Sequence, residues 1–197
     1  NDWFVWNDSG TIRLGHGPDW TSDTARSAGT ALVMVNGILL NNASITNGPA
    51  ASRGTYVGTT RSNGSSQLDW IFGGTAAGGT AGFFGVWNAY NRVNVASYTQ
   101  DTTASYTYTT ATTIRAANGN ATMRATFVRG LDEDGVQAAY YNLGQPGPST
   151  NMALGIGLDS TSAYSTNTLG FIHSSLTASV VQTSAKYSGT PGLGVHF

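Results

Sequence analysis

Apolar residues in this 197-residue chain come in short runs or alternate with polar ones, and Gly, Asn, Asp, Ser and Pro separate the runs. Nowhere do they recur at spacings of three and four over a convincing length, so the pattern predicts strands and turns, not helices. The strongest local signal is Ala31-Leu32-Val33-Met34-Val35, Asn36-Gly37, Ile38-Leu39-Leu40. Asn-Gly readily supplies the two positive φ angles of a type I′ turn, which predicts a hairpin; a continuous strand through Asn36 is the competing reading. Short strands are expected within 1–28, one of them at 11–14, and others at 54–61, 67–72, 83–87, 92–98, 105–115, 123–128, 136–141, 152–158, 169–173 and 176–183. Asn47-Gly48-Pro49, 132–135 and 144–150 read as turns or breaks. The stretch 73–82, Gly-Gly-Thr-Ala-Ala-Gly-Gly-Thr-Ala-Gly, reads as a low-complexity loop, and it lacks the Gly-Lys-Ser/Thr ending of a phosphate cradle. About a dozen short strands without an internal repeat favour an all-β fold, an antiparallel β-sandwich of jelly-roll-like form. The expected division is a linker or neck over residues 1–28, which are aromatic and turn-rich, and one sandwich domain over 29–197.

Composition sharpens this picture. Only 10% of residues are charged, against roughly 25% in an average soluble domain. Glu133 is the only Glu and Lys186 the only Lys, so the residues that furnish helix surfaces are missing. Thr and Gly are the commonest residues instead, with Ser also frequent, as strands and tight turns require. A net charge of −1 gives no basic footprint for nucleic acid. No apolar run approaches the roughly 18 residues of a membrane helix, so membrane insertion is not expected. There is no Cys, which removes disulfides, thiolate catalysis and zinc–thiolate sites. No signal-peptide pattern opens the chain, which starts at Asn1 without Met and stops on Val195-His196-Phe197. Both ends look cut, and the expectation is an ordered part of something longer.

Candidate chemistry is sparse. Trp87, Asn88, Tyr90, Asn91 and Arg92 combine flat rings with polar tips, the means by which protein surfaces hold sugars. A pyranose would stack its C–H face on Trp87 or Tyr90 and hydrogen-bond to Asn88, Asn91 or Arg92. The competing reading packs Trp87 between two sheets and uses the Asn residues to stabilise a turn. Asp132, Glu133 and Asp134 are weak candidates for Ca²⁺ ligands, because EF-hand spacing is absent; a solvated hairpin turn is the alternative. His16, His173 and His196 share no ligand spacing. A single Glu cannot form the Glu pair of many glycosidases, although Asp69, Asp101, Asp132, Asp134 and Asp159 leave a cross-strand Asp pair open. No Gly-x-Ser-x-Gly elbow is present. The expectation is therefore a non-enzymatic protein without cofactor or metal.

Several motifs in order carry a family likeness: Asn47-Gly48-Pro49-Ala50, Leu68-Asp69-Trp70-Ile71-Phe72-Gly73-Gly74, Phe84-Gly85-Val86-Trp87-Asn88-Ala89-Tyr90-Asn91-Arg92, Arg129-Gly130-Leu131-Asp132-Glu133-Asp134 and Gly155-Ile156-Gly157-Leu158-Asp159-Ser160. With Thr107-Tyr108-Thr109-Thr110-Ala111-Thr112 and Pro191-Gly192-Leu193-Gly194, they span most of residues 30–197. Over this span the chain resembles a family of bacteriophage virion proteins, especially β domains near the distal end of tail fibres or tail proteins. The resemblance implies a structural or receptor-binding role in the virion, homotrimeric assembly, and other virion proteins and host-surface glycan as partners. It assigns no catalytic residue. A capsid decoration (cement) protein is the first alternative, and a secreted carbohydrate-binding module or glycoside-cleaving enzyme the second.

Overall fold

The Asn36-Gly37 turn forms as its dipeptide predicts. In the computed structural model, which describes residues 1–110, 113–165, 169–173 and 179–197, β3 (Leu32–Val35) pairs antiparallel with β4 (Ile38–Asn41). Asn36 and Gly37 take φ of 49° and 82°, the left-handed pair that a type I′ turn needs. The protein is all-β and sandwich-like, with 44% strand and 3% helix. No helix among the described residues is long and apolar enough to cross a membrane.

Two compact units share the chain. The first comprises Asn1–Ala104, Thr122–Asp132 and Gly192–Phe197. Its six-stranded sheet places β1 (Asp2–Asp8) between β2 (Thr11–His16) and β5 (Thr55–Thr60). β4 and β8 (Val86–Asn88) share the opposite edge of β5, β4 at Thr55 and β8 at Gly58–Thr60. A five-stranded sheet runs β15 (Gly194–His196), β10 (Ala125–Arg129), β7 (Thr80–Phe84), β6 (Trp70–Ala76), β9 (Tyr98–Asp101). Phe4, Ile45, Tyr56 and Trp87 meet Val128 of the five-stranded sheet in one core, with Leu32, Leu39 and Val195 packed around it. The second unit, Ser105–Ala121 and Glu133–Pro191, holds two antiparallel pairs, β11 (Val136–Gly144) with β14 (Val181–Gly189) and β12 (Asn151–Leu154) with β13 (Gly170–His173).

Residues 1–28 are thus not a linker or neck. β1 is an interior strand, Asp2 and Phe4 are fully buried, and Phe4 pairs across the sheet with Tyr56. Nor is 29–197 a single domain, since the second unit is built from two segments separated by strands of the first. The glycine-rich stretch 73–82 is also not a loop: it lies largely within the β6–β7 hairpin. Gly73, at φ 80°, lets β9 approach so closely that a Cβ there would fall 1.9 Å from the Tyr98 carbonyl oxygen.

Among the described residues, pairing is antiparallel except at β6–β9 and β7–β10, which are parallel, so the five-stranded sheet is mixed where an antiparallel one was expected. Both exceptions join strands linked by long excursions, as parallel neighbours require. The expected strand at 92–98 forms only at its end: Val93 and Val95 alternate correctly but gain no partner strand and stand exposed. The expected strand at 105–115 includes 111–112, outside the described residues; around them, the Tyr108 hydroxyl donates to the Thr113 carbonyl and Arg115 lies 4.0 Å over the Tyr108 ring. Such local bonds compete with a sheet ladder. Part of the expected strand at 176–183 also lies outside the described residues.

Candidate functional site

β8 delivers Trp87 to the core. The indole is 9% exposed and stacks on Tyr56 at 6.1 Å and 23°, while the Arg92 guanidinium sits 4.8 Å from its centroid. A ring so far buried is not a free platform for a sugar. Asn88, next along, is exposed and its Oδ1 accepts the backbone N–H groups of Tyr90 and Asn91, each at 2.9 Å. This Asx turn lifts Tyr90 into solvent, where it is 62% exposed. Of the five residues expected to bind together, Tyr90, Asn91 and Arg92 are exposed along the turn, Asn88 builds it, and Trp87 anchors it from below.

A buried polar knot lies beside Trp87. Arg26 reaches back to β1 and donates through Nε to Asp2 Oδ2 at 2.6 Å, through Nη2 to the Gly130 carbonyl, and packs over both Trp20 and Tyr56. Thr59 donates to Asp2 and bonds the Tyr56 hydroxyl. Charge burial here is tolerated because both Asp2 oxygens and the Arg26 Nε and Nη2 atoms have partners. Burial first, and the Asp2 carboxylate second, push the Tyr56 phenol well above its ordinary range; Tyr164 of the second unit is also raised, chiefly by burial. Gly130 is required here, since a Cβ would come within 2.2 Å of the Tyr56 hydroxyl and 2.4 Å of the Trp87 ring. This knot holds structure; it leaves no exposed nucleophile or acid–base pair.

The acidic cluster is divided. Asp132 closes the second segment of the first unit, where it is exposed and 3.7 Å from Arg129, and Glu133 and Asp134 begin the next segment of the other unit. Among the described residues no three His, Cys, Asp or Glu side chains converge on a metal position.

Sequence reasoning missed an aromatic feature of the five-stranded sheet. Trp70 pairs with Phe84, Phe84 with Phe127, and Phe127 with His196, so one aromatic row crosses four strands of the five-stranded sheet. Phe72 joins it: Trp70, Phe72 and Phe84 make three edge-to-face contacts at 5.9, 5.9 and 5.6 Å. Directly paired residues share a face, and this face is opposite the one on which Val128 enters the core. Trp70 and Phe72 remain 46% and 49% exposed. The motif Trp70-Ile71-Phe72 signalled a strand; Ile71, on its other side, is 44% exposed as well, and how far either side is covered depends on pairings distant in sequence. Only the Trp70–Phe72 end of the row is open, since Phe84 and Phe127 are half-buried and His196 is buried; that end can bind an apolar partner. Comparison of the chain with known protein families, with curated proteins and with solved structures gives no match.

Proposed function

We propose that this protein is a structural β component of a bacteriophage particle, a tail or appendage part that works by associating with copies of itself and with other virion proteins. The aromatic row is the observation that carries this reading. Soluble monomers rarely leave a contiguous cluster of large aromatic rings in water, and such patches mark association surfaces. The assignment to a virion rests on the motif resemblance, and attachment to the host surface is its sharper form, with the Tyr90–Arg92 turn as the exposed element.

Light scattering on the full chain tests the reading. A mass near three protomers that collapses to one in the Trp70→Ser/Phe72→Ser double variant supports it. A wild-type monomer at high concentration removes the self-associating appendage, and density for this fold on the capsid lattice of the intact particle would then favour the decoration protein.

A further inference from the structure

We propose that the cleft between the end of β1 and the turn at 48–53 is a saccharide-binding site, with Trp6 as its stacking wall and Arg53 as its main hydrogen-bond donor. The cleft measures about 370 Å³ and is lined by Trp6, Asn7, Asp8, Pro49 and Arg53, among others, a volume within the range of small-molecule sites. It lies on the six-stranded sheet, so it is separate from the aromatic row of the five-stranded one.

Each wall has a structural cause. Trp6 is half-buried and rests over β2 at Gly15, where a Cβ would come within 3.0 Å of the indole; the glycine lets the ring lie low. The opposite lip is fixed by Asn41, fully buried at the end of β4. Its Nδ2 donates to the carbonyls of Ala43 at 2.8 Å, Ala50 at 2.9 Å and Pro49 at 3.3 Å, and its Oδ1 accepts from Gly54 N–H at 2.7 Å. A lip held by four bonds is preorganised, and preorganisation lowers what a ligand must spend on ordering its site.

The polar groups then define the ligand. Arg53 is exposed, and its guanidinium is engaged by no other described residue. Its planar fork suits two neighbouring hydroxyls. Asp8 is paired with Arg13 at 3.4 Å but keeps 53% of its side chain in solvent, so lone pairs remain to accept from hydroxyls. Asn7 spends its Oδ1 on Gly10 N–H at 2.7 Å, which leaves its amide hydrogens as donors. A flat aromatic wall beside both donors and an acceptor matches a pyranose, apolar on its C–H face and hydroxylated at its rim. A phosphate would meet the Asp8 carboxylate, and a purely apolar ligand would leave the polar walls unpaired.

Saturation-transfer NMR on the full chain tests this, using the methyl glycosides of glucose, galactose, mannose, N-acetylglucosamine and glucuronic acid as probes. At least one glycoside should receive magnetisation at its ring C–H protons with millimolar affinity, and Trp6→Ala should abolish the transfer. Because Trp6 also packs on β2, Arg53→Ala is the second variant: it should weaken binding at least tenfold while the thermal midpoint and the light-scattering mass stay unchanged. No transfer to any of the five glycosides, or an affinity unchanged in Arg53→Ala, overturns the site. The mass measurement reads self-association separately, so failure of the saccharide site and failure of the assembly reading give different results.

Discussion

Between the two sheets of the first unit, an Asp–Arg pair is sealed among Phe4, Tyr56 and Trp87; on the far side of the five-stranded sheet, Trp70 and Phe72 stand in water without a charged residue in their row. An ion pair thus lies inside while two large rings stay half-exposed outside, and each is the less common placement for its kind. The inner arrangement costs little because Asp2 receives Arg26 and Thr59 while Arg26 also reaches Gly130. The outer arrangement has no such compensation within its own unit. The exposed parts of Trp70 and Phe72 amount to about 200 Å², or about 5 kcal/mol of transfer free energy at 25 cal/mol per Å². That free energy is available to whatever covers the face. The two regions teach that aromatic content alone does not separate core from interface; neighbours do.

Substituting one tryptophan from each region breaks or sharpens the contrast, and gives the largest expected effect. Trp87→Ala removes a ring stacked on Tyr56 in the core and should cost about 3–5 kcal/mol. At about 2–4 °C per kcal/mol that is a fall of roughly 6–20 °C in the thermal midpoint. Trp70→Ala, measured under conditions where the chain is monomeric, should cost about 1 kcal/mol or less, because half the ring is already wet. Equal losses at the two sites would erase the distinction.

Arg26→Ala comes next. It leaves the Asp2 carboxylate buried and without its guanidinium, and urea denaturation should show a loss of about 3 kcal/mol. The double variant Asp2→Leu/Arg26→Met should recover most of it, since an apolar pair of similar volume often replaces a buried ion pair at no cost. If the double variant is as unstable as the single one, the knot supplies something beyond charge matching.

Legibility in the sequence follows the same division between local and distant causes. The β3–β4 hairpin was readable because two adjacent residues dictate its φ angles, and β5 and β10 were readable from their runs and alternation. The burial of Asp2 was not, because its partners come from residues 26 and 59 and nothing nearby marks it as an inside residue. The 73–82 stretch looked like a loop because glycine carries no strand signal, whereas there the missing Cβ is what admits β9. At the candidate site, the competing reading of Trp87 as core was legible from Phe83, Phe84 and Val86 beside it. The aromatic row was not legible, since it depends on a parallel pairing of β7 with β10 that no local pattern announces.

Alkaline titration gives a smaller effect and probes the sealed side. Below pH 10 the Tyr56 phenol is neutral in both states and contributes no pH dependence. Above its ordinary value of 10.0, the unfolded chain releases a proton that the folded chain retains, because burial raises the folded value. Stability should therefore fall as pH rises past 10, by about 1.4 kcal/mol per pH unit from this group. Urea midpoints measured on either side of pH 10 should show the decline, and Tyr56→Phe should be less stable at neutral pH yet flatter above pH 10. A decline of the same slope in Tyr56→Phe would assign it elsewhere.

Tyr90→Ala has the smallest expected effect on the fold and separates the turn from the core beneath it. Tyr90 is 62% exposed, and the Asx turn that carries it is held by its backbone N–H and by Asn88, so losing the ring removes no bond that shapes the turn. Stability should change by no more than about 0.5 kcal/mol. Host binding is then a clean readout, because a folded variant with the same thermal midpoint differs from wild type only at the surface. If the Tyr90–Arg92 turn takes part in attachment, Tyr90→Ala should reduce binding to host cells while Trp87→Ala reduces it only in proportion to the protein it unfolds. Unimpaired binding by Tyr90→Ala would remove the turn as a receptor contact.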